Sequence, residues 1–219
     1  MAREAFEKEL QLLRESLLRM ASQVESQIAD ALTALRKRDR DLADQVRAND
    51  QQLNELFRQI REQCFTVIAT QQPVARDLRT LMGVVYISTE LERMGDYAVR
   101  IGRMTGTLCS LPDAPLRAEF GLMGELASRQ VHDILDALIE QDEASAREVA
   151  AKDDEIDRLY HRVFDDLIDE MGGGGGQDEA LRAVTLMLVA HNLERIGDRV
   201  TNVAEDIVFL ETGQVVELG

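Results

Sequence analysis

The sequence predicts an all-α fold, with six helices arranged as two repeated three-helix bundles. Apolar residues recur at steps of three and four along the 219-residue chain, which is the spacing of amphipathic helices that pack in a bundle. No window shows the strict alternation of apolar and polar residues that marks a half-buried strand. A six-residue motif also occurs twice, which indicates a duplicated unit.

Five breaks divide the chain into the six predicted helices. They fall at residues 38–41, 71–73, 110–115, 141–143 and 172–176. The second and third breaks contain proline, which interrupts a helix because it has no backbone N–H to donate. The last break is a run of five glycines, which cannot hold a helix and predicts a flexible linker.

The duplication is clearest in one motif. Leu-Glu-Arg-Met-Gly-Asp at residues 91–96 recurs as Leu-Glu-Arg-Ile-Gly-Asp at residues 193–198, with an offset of 102. Upstream of it, an Asp-x-x-x-Asn or Asp-x-x-x-Asp pair recurs with an offset of 103. We therefore predict a first three-helix repeat over residues 1–111 and a second over residues 112–219.

Carboxylates one helical turn apart recur in both repeats. Residues at i and i+4 lie on the same helix face, where two like charges are mildly destabilising unless a cation or a basic side chain offsets them. Oxygen ligands at this pitch suit a hard or borderline metal ion. The helical register predicts a groove between two helices of each repeat, lined by ligands from both. The candidate metal ligands are Glu92, Asp96, Asp50 and Asn54 in the first repeat and Glu194, Asp198, Asp153, Asp157, Asn202 and Glu205 in the second.

A glycine precedes the last carboxylate of each motif copy. Gly95 and Gly197 lie inside predicted helices, where a glycine costs about 1 kcal/mol relative to alanine. Two interpretations are open, namely helix–helix packing alone or the close approach of a neighbouring backbone or of bound ions. A single acidic pair is typical of any solvated helix face, so it is the repetition that favours a site.

The acidic residues are unevenly distributed. The chain has 41 acidic and 25 basic side chains, for a net charge of −16, and the whole excess lies after residue 110. Such a chain is unsuited to nucleic acid, because phosphate neutralisation needs clustered Lys and Arg. The sequence contains neither an apolar run long enough to span a membrane nor a signal peptide, and its two cysteines are isolated, so we expect a cytoplasmic protein.

The doubled motif, in an all-helical chain of this length, resembles the PhoU family, the phosphate-transport accessory proteins and phosphate-signalling regulators of bacteria. Residues 72–79 (Gln-Pro-Val-Ala-Arg-Asp-Leu-Arg) and 204–206 (Ala-Glu-Asp) are also similar to that family. The resemblance implies two three-helix bundles side by side. It also implies metal ions, often in multinuclear clusters, on the motif carboxylates.

The same resemblance implies a regulator that is not an enzyme. It implies that the partners are a phosphate ABC transporter ATPase and a membrane-bound sensor histidine kinase. It also implies that the protein represses the phosphate-starvation response when phosphate is plentiful. It further implies a homodimer that reaches the inner membrane only through its partners. Two alternatives from other classes stay open: a metal-free helical scaffold with an acidic partner-binding face, and a metal-dependent phosphohydrolase.

The two repeats differ at the predicted site. The family pattern continues after the motif with Asn202 and Glu205, but the first repeat has Arg100 and Arg103 in those places. Two cations there oppose a multinuclear metal site. We therefore expect the second repeat to hold the stronger cation site, with Mg, Mn, Fe or Zn as candidate ions and the oxygen ligands favouring the first three.

Overall fold

The computed structural model describes residues 2–174 and 176–219, with side chains from residue 4 onward, and no strand occurs among them. Met1 and Gly175, the fourth glycine of the predicted linker, lie outside the described residues. None of the described helices combines the length and the apolar character that a membrane crossing requires.

The architecture is two bundles of helices, as predicted. The first bundle contains α1 (Ala2–Lys37), α2 (Arg40–Gln71) and α3 (Arg76–Cys109). The second contains α4 (Ala118–Glu140), α5 (Glu143–Ala150), α6 (Asp154–Gly172) and α7 (Gln177–Thr212). Buried apolar residues of both bundles form one continuous core, so the domain boundary after residue 111 stays a prediction.

The five predicted breaks are confirmed, and a sixth divides the fifth predicted helix into α5 and α6 at residues 151–153. There the amides of Lys152 and Asp153 bond to carbonyls three residues earlier, at 3.1 Å each, which is a turn tighter than an α-helix. Ala151 and Lys152 are good helix formers, so nothing local predicted this break. It lies directly at Asp153, one of the candidate ligands.

Two of the loops end in side-chain caps. Asp39 accepts a hydrogen bond from the Leu42 amide at 3.0 Å, at the start of α2. Asp142 accepts from the amides of Ala144 and Ser145 at the start of α5. Aspartates in these positions satisfy amides that have no partner within the helix, which explains why both breaks are short.

Helices α3 and α7 pack against each other more extensively than any other pair. They run antiparallel, since Glu90 near the middle of α3 bonds to Asn202, whereas Met104 near its end contacts Asn192. Each helix carries one copy of the duplicated motif near its middle. The packing therefore brings the two copies to the same level of the molecule.

A buried glutamate lies at this contact. Glu90 is 8% exposed and accepts from Arg93 at 2.8 Å, from Arg199 at 3.1 Å and from Asn202 at 3.0 Å. A buried carboxylate is tolerated only when it is paired and hydrogen-bonded. Because two of its three partners come from α7, this network specifies how the two bundles meet.

Within the first bundle, α2 and α3 approach closely at a glycine. A Cβ atom added to Gly95 would lie 2.2 Å from Cδ2 of Leu53, whose side chain is fully buried. Leu53 therefore fills the space that the missing side chain leaves. For Gly95 the packing interpretation accounts for the glycine.

We expect Gly95→Ala to destabilise the protein by about 1–3 kcal/mol, because the added methyl overpacks a filled core position. In a Leu53→Ala background the same change should be neutral or stabilising by up to about 1 kcal/mol, since the overlap is gone and alanine is the better helix former. Urea unfolding of the four proteins in this double-mutant cycle measures both values. An equal cost of Gly95→Ala in the two backgrounds would contradict the packing account.

Candidate metal centre

Three aspartates meet between the start of α6 and the middle of α7. One carboxylate oxygen from each of Asp153, Asp157 and Asp198 lies within 4.8 Å of the others. In the described part of the chain, no other group of three or more acidic, histidine or cysteine side chains comes together in this way. The sequence placed all three among the candidate ligands, and the fold brings them to one point.

Three oxygens in and beside this group lack hydrogen-bond partners. Oδ1 of Asp153, Oδ1 of Asp157 and Oε2 of the neighbouring Glu194 are shielded from solvent and accept no hydrogen bond. A shielded polar atom without a partner is costly, and native structures contain few of them. We name Asp153, Asp157, Glu194 and Asp198 the second-repeat cluster.

Asp198 is held in place by its own helix. Its Oδ2 atom lies 2.6 Å from Nη1 of Arg195 and 3.7 Å from Nη2 of Arg199. Both contacts use the same oxygen, so they orient the carboxylate without engaging Oδ1. A hydrogen bond with Tyr97 and the charge of Asp198 both raise the pKa of Arg195, which stays cationic in any case.

Gly197 is the glycine that makes room for the site. A Cβ atom built there would lie 2.6 Å from Oδ1 of Asp153 and 3.5 Å from Oε1 of Gln130. The glycine of the second motif thus faces a carboxylate, whereas Gly95 faces the apolar side chain of Leu53. At Gly197 the close neighbours are therefore side chains, and not the neighbouring backbone that one interpretation expected.

The electrostatics of the cluster favour a proton or a cation. Burial, followed by repulsion from Asp157 and Asp198, raises the pKa of Asp153 to about 6. Burial and the charge of Asp198 raise the pKa of Glu194 to about 7. The pKa of Asp157 is also raised, by burial and by Asp198. The carboxylates therefore resist full ionisation unless positive charge joins them.

The first-repeat candidates satisfy one another instead. Asn54 donates to Oδ2 of Asp50 at 2.8 Å, and Gln27 donates to Oδ1 of Asp50 at 3.4 Å. Arg100 lies 4.0 Å from Asp96. Burial, followed by the charges of Asp96 and Asp50, raises the pKa of Glu92. Side-chain amides thus donate to Asp50, whereas Oδ1 of its counterpart Asp153 has no hydrogen-bond partner.

Two predicted ligands of the second repeat are placed elsewhere. Asn202 donates its amide to Glu90 in the contact between α3 and α7. Glu205 accepts from the backbone amide of Leu218 at 2.9 Å, where the segment after α7 folds back along the helix. Both side chains therefore bond to neighbouring elements rather than to the second-repeat cluster.

The structure adds residues that the sequence argument did not select. Gln130 and Gln27 are buried, and each has an Oε1 atom without a hydrogen-bond partner. They are related by the offset of 103 that relates Asp50 to Asp153, so the repeat comparison could have identified them. His191 lies at the edge of the cluster, with Nδ1 3.5 Å from Oε2 of Glu194, and burial lowers its pKa.

This donor set fits a hard cation. It offers several carboxylate oxygens, a neutral amide oxygen in Gln130 near Gly197 and no thiolate, which are the ligands that Mg²⁺, Mn²⁺ and Ca²⁺ prefer. The unpartnered, shielded oxygens are those that a cation would satisfy.

The raised pKa values predict how stability depends on pH in chelator-treated protein. A carboxyl with a raised pKa in the folded state stabilises the fold at low pH, and this contribution is lost as pH rises through the folded value. For Asp153 and Glu194 that window runs from their ordinary values of 3.8 and 4.5 to about 6 and 7. Asp157→Asn should therefore raise the melting temperature at about pH 8 and change it less at about pH 5.

The reverse swap in the first repeat is the matched control. Asn54→Asp replaces a donor to Asp50 with a second carboxylate, so it should lower the melting temperature at about pH 8. Asp206 titrates in the same range, because burial raises its pKa to about 7, but it is common to all variants. If Asp157→Asn destabilises the protein equally at both pH values, the repulsion account is wrong.

Comparison with known proteins shows which family the chain belongs to. The PhoU domain model matches residues 17–105 and 120–207. A phosphate-specific transport system accessory protein PhoU homolog from Clostridium acetobutylicum is 37% identical over 219 residues, covering 100% of this chain and 99% of its own. The PhoU protein of Escherichia coli is 33% identical over 209 residues, covering 95% and 86%.

Solved structures of PhoU proteins have the same fold as this chain. The crystal structure of PhoU from Pseudomonas aeruginosa superposes with a TM-score of 0.91 at 34% identity, over 95% of this chain and all of the other. The phosphate transport system regulatory protein PhoU from Streptococcus pneumoniae gives a TM-score of 0.89 at 28% identity, over 97% of this chain and all of the other. The match extends over both repeats, and the chain belongs to the PhoU family of phosphate-specific transport system accessory proteins.

Proposed function

We propose that this protein is a cytosolic, metal-binding regulator of phosphate uptake. It acts as an adaptor between a phosphate ABC transporter ATPase and a sensor histidine kinase, and it represses the phosphate-starvation response. The family supports the connection with phosphate transport, because relatives along the whole chain are named accessory proteins of that system. The kinase, the negative sign of regulation and a homodimeric state rest on the resemblance alone.

The observation that carries the metal part of the proposal is the second-repeat cluster. Three carboxylate oxygens lie within 4.8 Å of one another, and shielded oxygens of Asp153, Asp157 and Glu194 have no hydrogen-bond partner. A bound divalent cation would neutralise these charges. Asp153, Asp157, Glu194 and Asp198 would hold it, while Arg195 keeps Asp198 oriented.

Cation binding would link α6 to α7 within the second bundle. Asp153 and Asp157 belong to α6 and the turn before it, whereas Glu194 and Asp198 belong to α7. Helix α7 also packs against α3 and so borders the first bundle. A cation would thereby fix the spacing of the helices that present the protein's acidic half to a partner. No covalent bond of the protein would be made or broken.

We predict that Asp198→Asn abolishes the binding of Mn²⁺ to chelator-treated protein, because it removes a ligand that the other carboxylates cannot replace. Isothermal titration and metal analysis of the dialysed protein measure the loss. Mn²⁺ should also raise the melting temperature of the wild type and not of the variant, since a ligand that binds only the folded state stabilises it. Asp50→Asn, which neutralises a carboxylate of the first repeat, is the control and should retain the metal.

The regulatory part is tested in cells that lack their own family member. The wild type and Asp50→Asn should repress a phosphate-starvation reporter in rich phosphate, whereas Asp198→Asn should leave it active at equal protein level. Equal metal content in Asp198→Asn and wild type would reject the site. Full repression by a metal-free Asp198→Asn protein would instead favour the scaffold alternative, in which the acidic face binds a partner without a metal.

A further inference from the structure

An exposed apolar surface extends from the second-repeat cluster along α6 and α7. Six large apolar side chains are each between 39% and 48% exposed. They recur at steps of three and four on the two helices. We name them the α6–α7 patch: Phe164, Ile168 and Met171 on α6, and Leu181, Val184 and Leu188 on α7.

The two rows lie side by side on one face. Helices α6 and α7 are joined by the short segment of residues 173–176, and Tyr160 faces His191 with ring centroids 6.0 Å apart. Tyr160 is one turn before Phe164, and His191 is one turn after Leu188. The rows therefore form a continuous strip that begins beside the cluster and runs to the α6–α7 loop. Strips of this kind on a soluble protein mark interaction sites.

In the first repeat a cation lies beside the equivalent aromatic side chains of α2. The guanidinium of Arg61 lies 5.2 Å from the ring centroid of Phe57 and 5.9 Å from that of Phe65, within the range of cation–π attraction. At the offset of 103, Arg61 corresponds to Phe164, and Phe57 corresponds to Tyr160. The second repeat thus keeps an aromatic residue in the place of Phe57 and has the apolar Phe164 where the first repeat has the cation.

The surroundings of the patch are acidic. Residues 160–188 contain six acidic and two basic side chains. Asp165, Asp169 and Asp178 are exposed and have no ion-pair partner among the described residues. This charge repels anionic lipid surfaces and attracts a basic segment. The acidic residues around the patch, which are not part of the second-repeat cluster, therefore favour a basic partner.

We propose that the α6–α7 patch is the docking surface for an amphipathic helix of another protein, with an apolar stripe flanked by Lys or Arg. The stripe covers the six apolar side chains, and the basic flanks meet Asp165, Asp169 and Asp178 and lie over Tyr160 as Arg61 lies over Phe57. An amphipathic helix laid in an apolar groove is a recurrent mode of recognition. The surface is separate from the metal ligands, so it stands whether or not the cluster binds a cation.

The test uses the full chain and two synthetic helical peptides of about 18 residues. Both carry leucine at i, i+3, i+4 and i+7, and they differ only in Lys or Glu at the flanking positions. Fluorescence anisotropy should show saturable, salt-sensitive binding of the Lys peptide alone. Leu188→Gln should weaken that binding about tenfold or more, as expected when an apolar contact of the interface is replaced by a polar side chain. Leu122→Gln, at an exposed leucine of α4, is the matched control and should change nothing.

A charge swap gives the second readout. Asp165→Lys combined with Asp169→Lys should weaken the binding of the Lys peptide and strengthen the binding of the Glu peptide. The circular dichroism of this variant should match that of the wild type. Equal binding of the two peptides, no binding of either, or equal effects of Leu188→Gln and Leu122→Gln would overturn the proposal. So would a dimer in solution that Leu188→Gln converts to a monomer, because the patch would then belong to contacts between copies.

Discussion

The antiparallel packing of α3 against α7 is the constraint on which the rest of the structure depends. It joins the two bundles into one core and places both motif copies at the same level. Buried Glu90 holds this contact through Arg199 and Asn202 of the opposite helix. Removing one partner would leave an uncompensated buried charge, which is a strong penalty. The register of the two repeats therefore depends on a polar interaction outside the site.

The same backbone supports two different arrangements of oxygen atoms. In the first repeat, Asn54 and Gln27 donate to Asp50, and Leu53 fills the space at Gly95. In the second, Asp157 replaces the amide donor, and the carboxylate of Asp153 occupies the space at Gly197. One exchange of Asn for Asp thus turns a pair satisfied by an internal hydrogen bond into a group of like charges. This is the physical basis of the functional difference that we propose between the repeats.

Most of the fold could be predicted from the sequence, because helical periodicity, proline and glycine breaks and the duplicated motif all depend on local spacing. The site could be predicted only in part. Asp153, Asp157 and Asp198 follow from the i, i+4 spacing and the repeat. Asn202 and Glu205 share that spacing, yet their side chains bond to Glu90 and Leu218, which are contacts between elements that no periodicity reveals. The turn at 151–153 was missed for a similar reason, since its residues favour a helix.

The central claim is that the second-repeat cluster binds a hard cation and its first-repeat counterpart does not. Anomalous diffraction from crystals of the chelator-treated protein soaked in Mn²⁺ tests this most directly. The account predicts a peak at about 2–2.6 Å from oxygens of Asp153, Asp157 and Asp198, with none between Asp50 and Asp96. A peak of equal height at both places, or one confined to the first repeat, would contradict it.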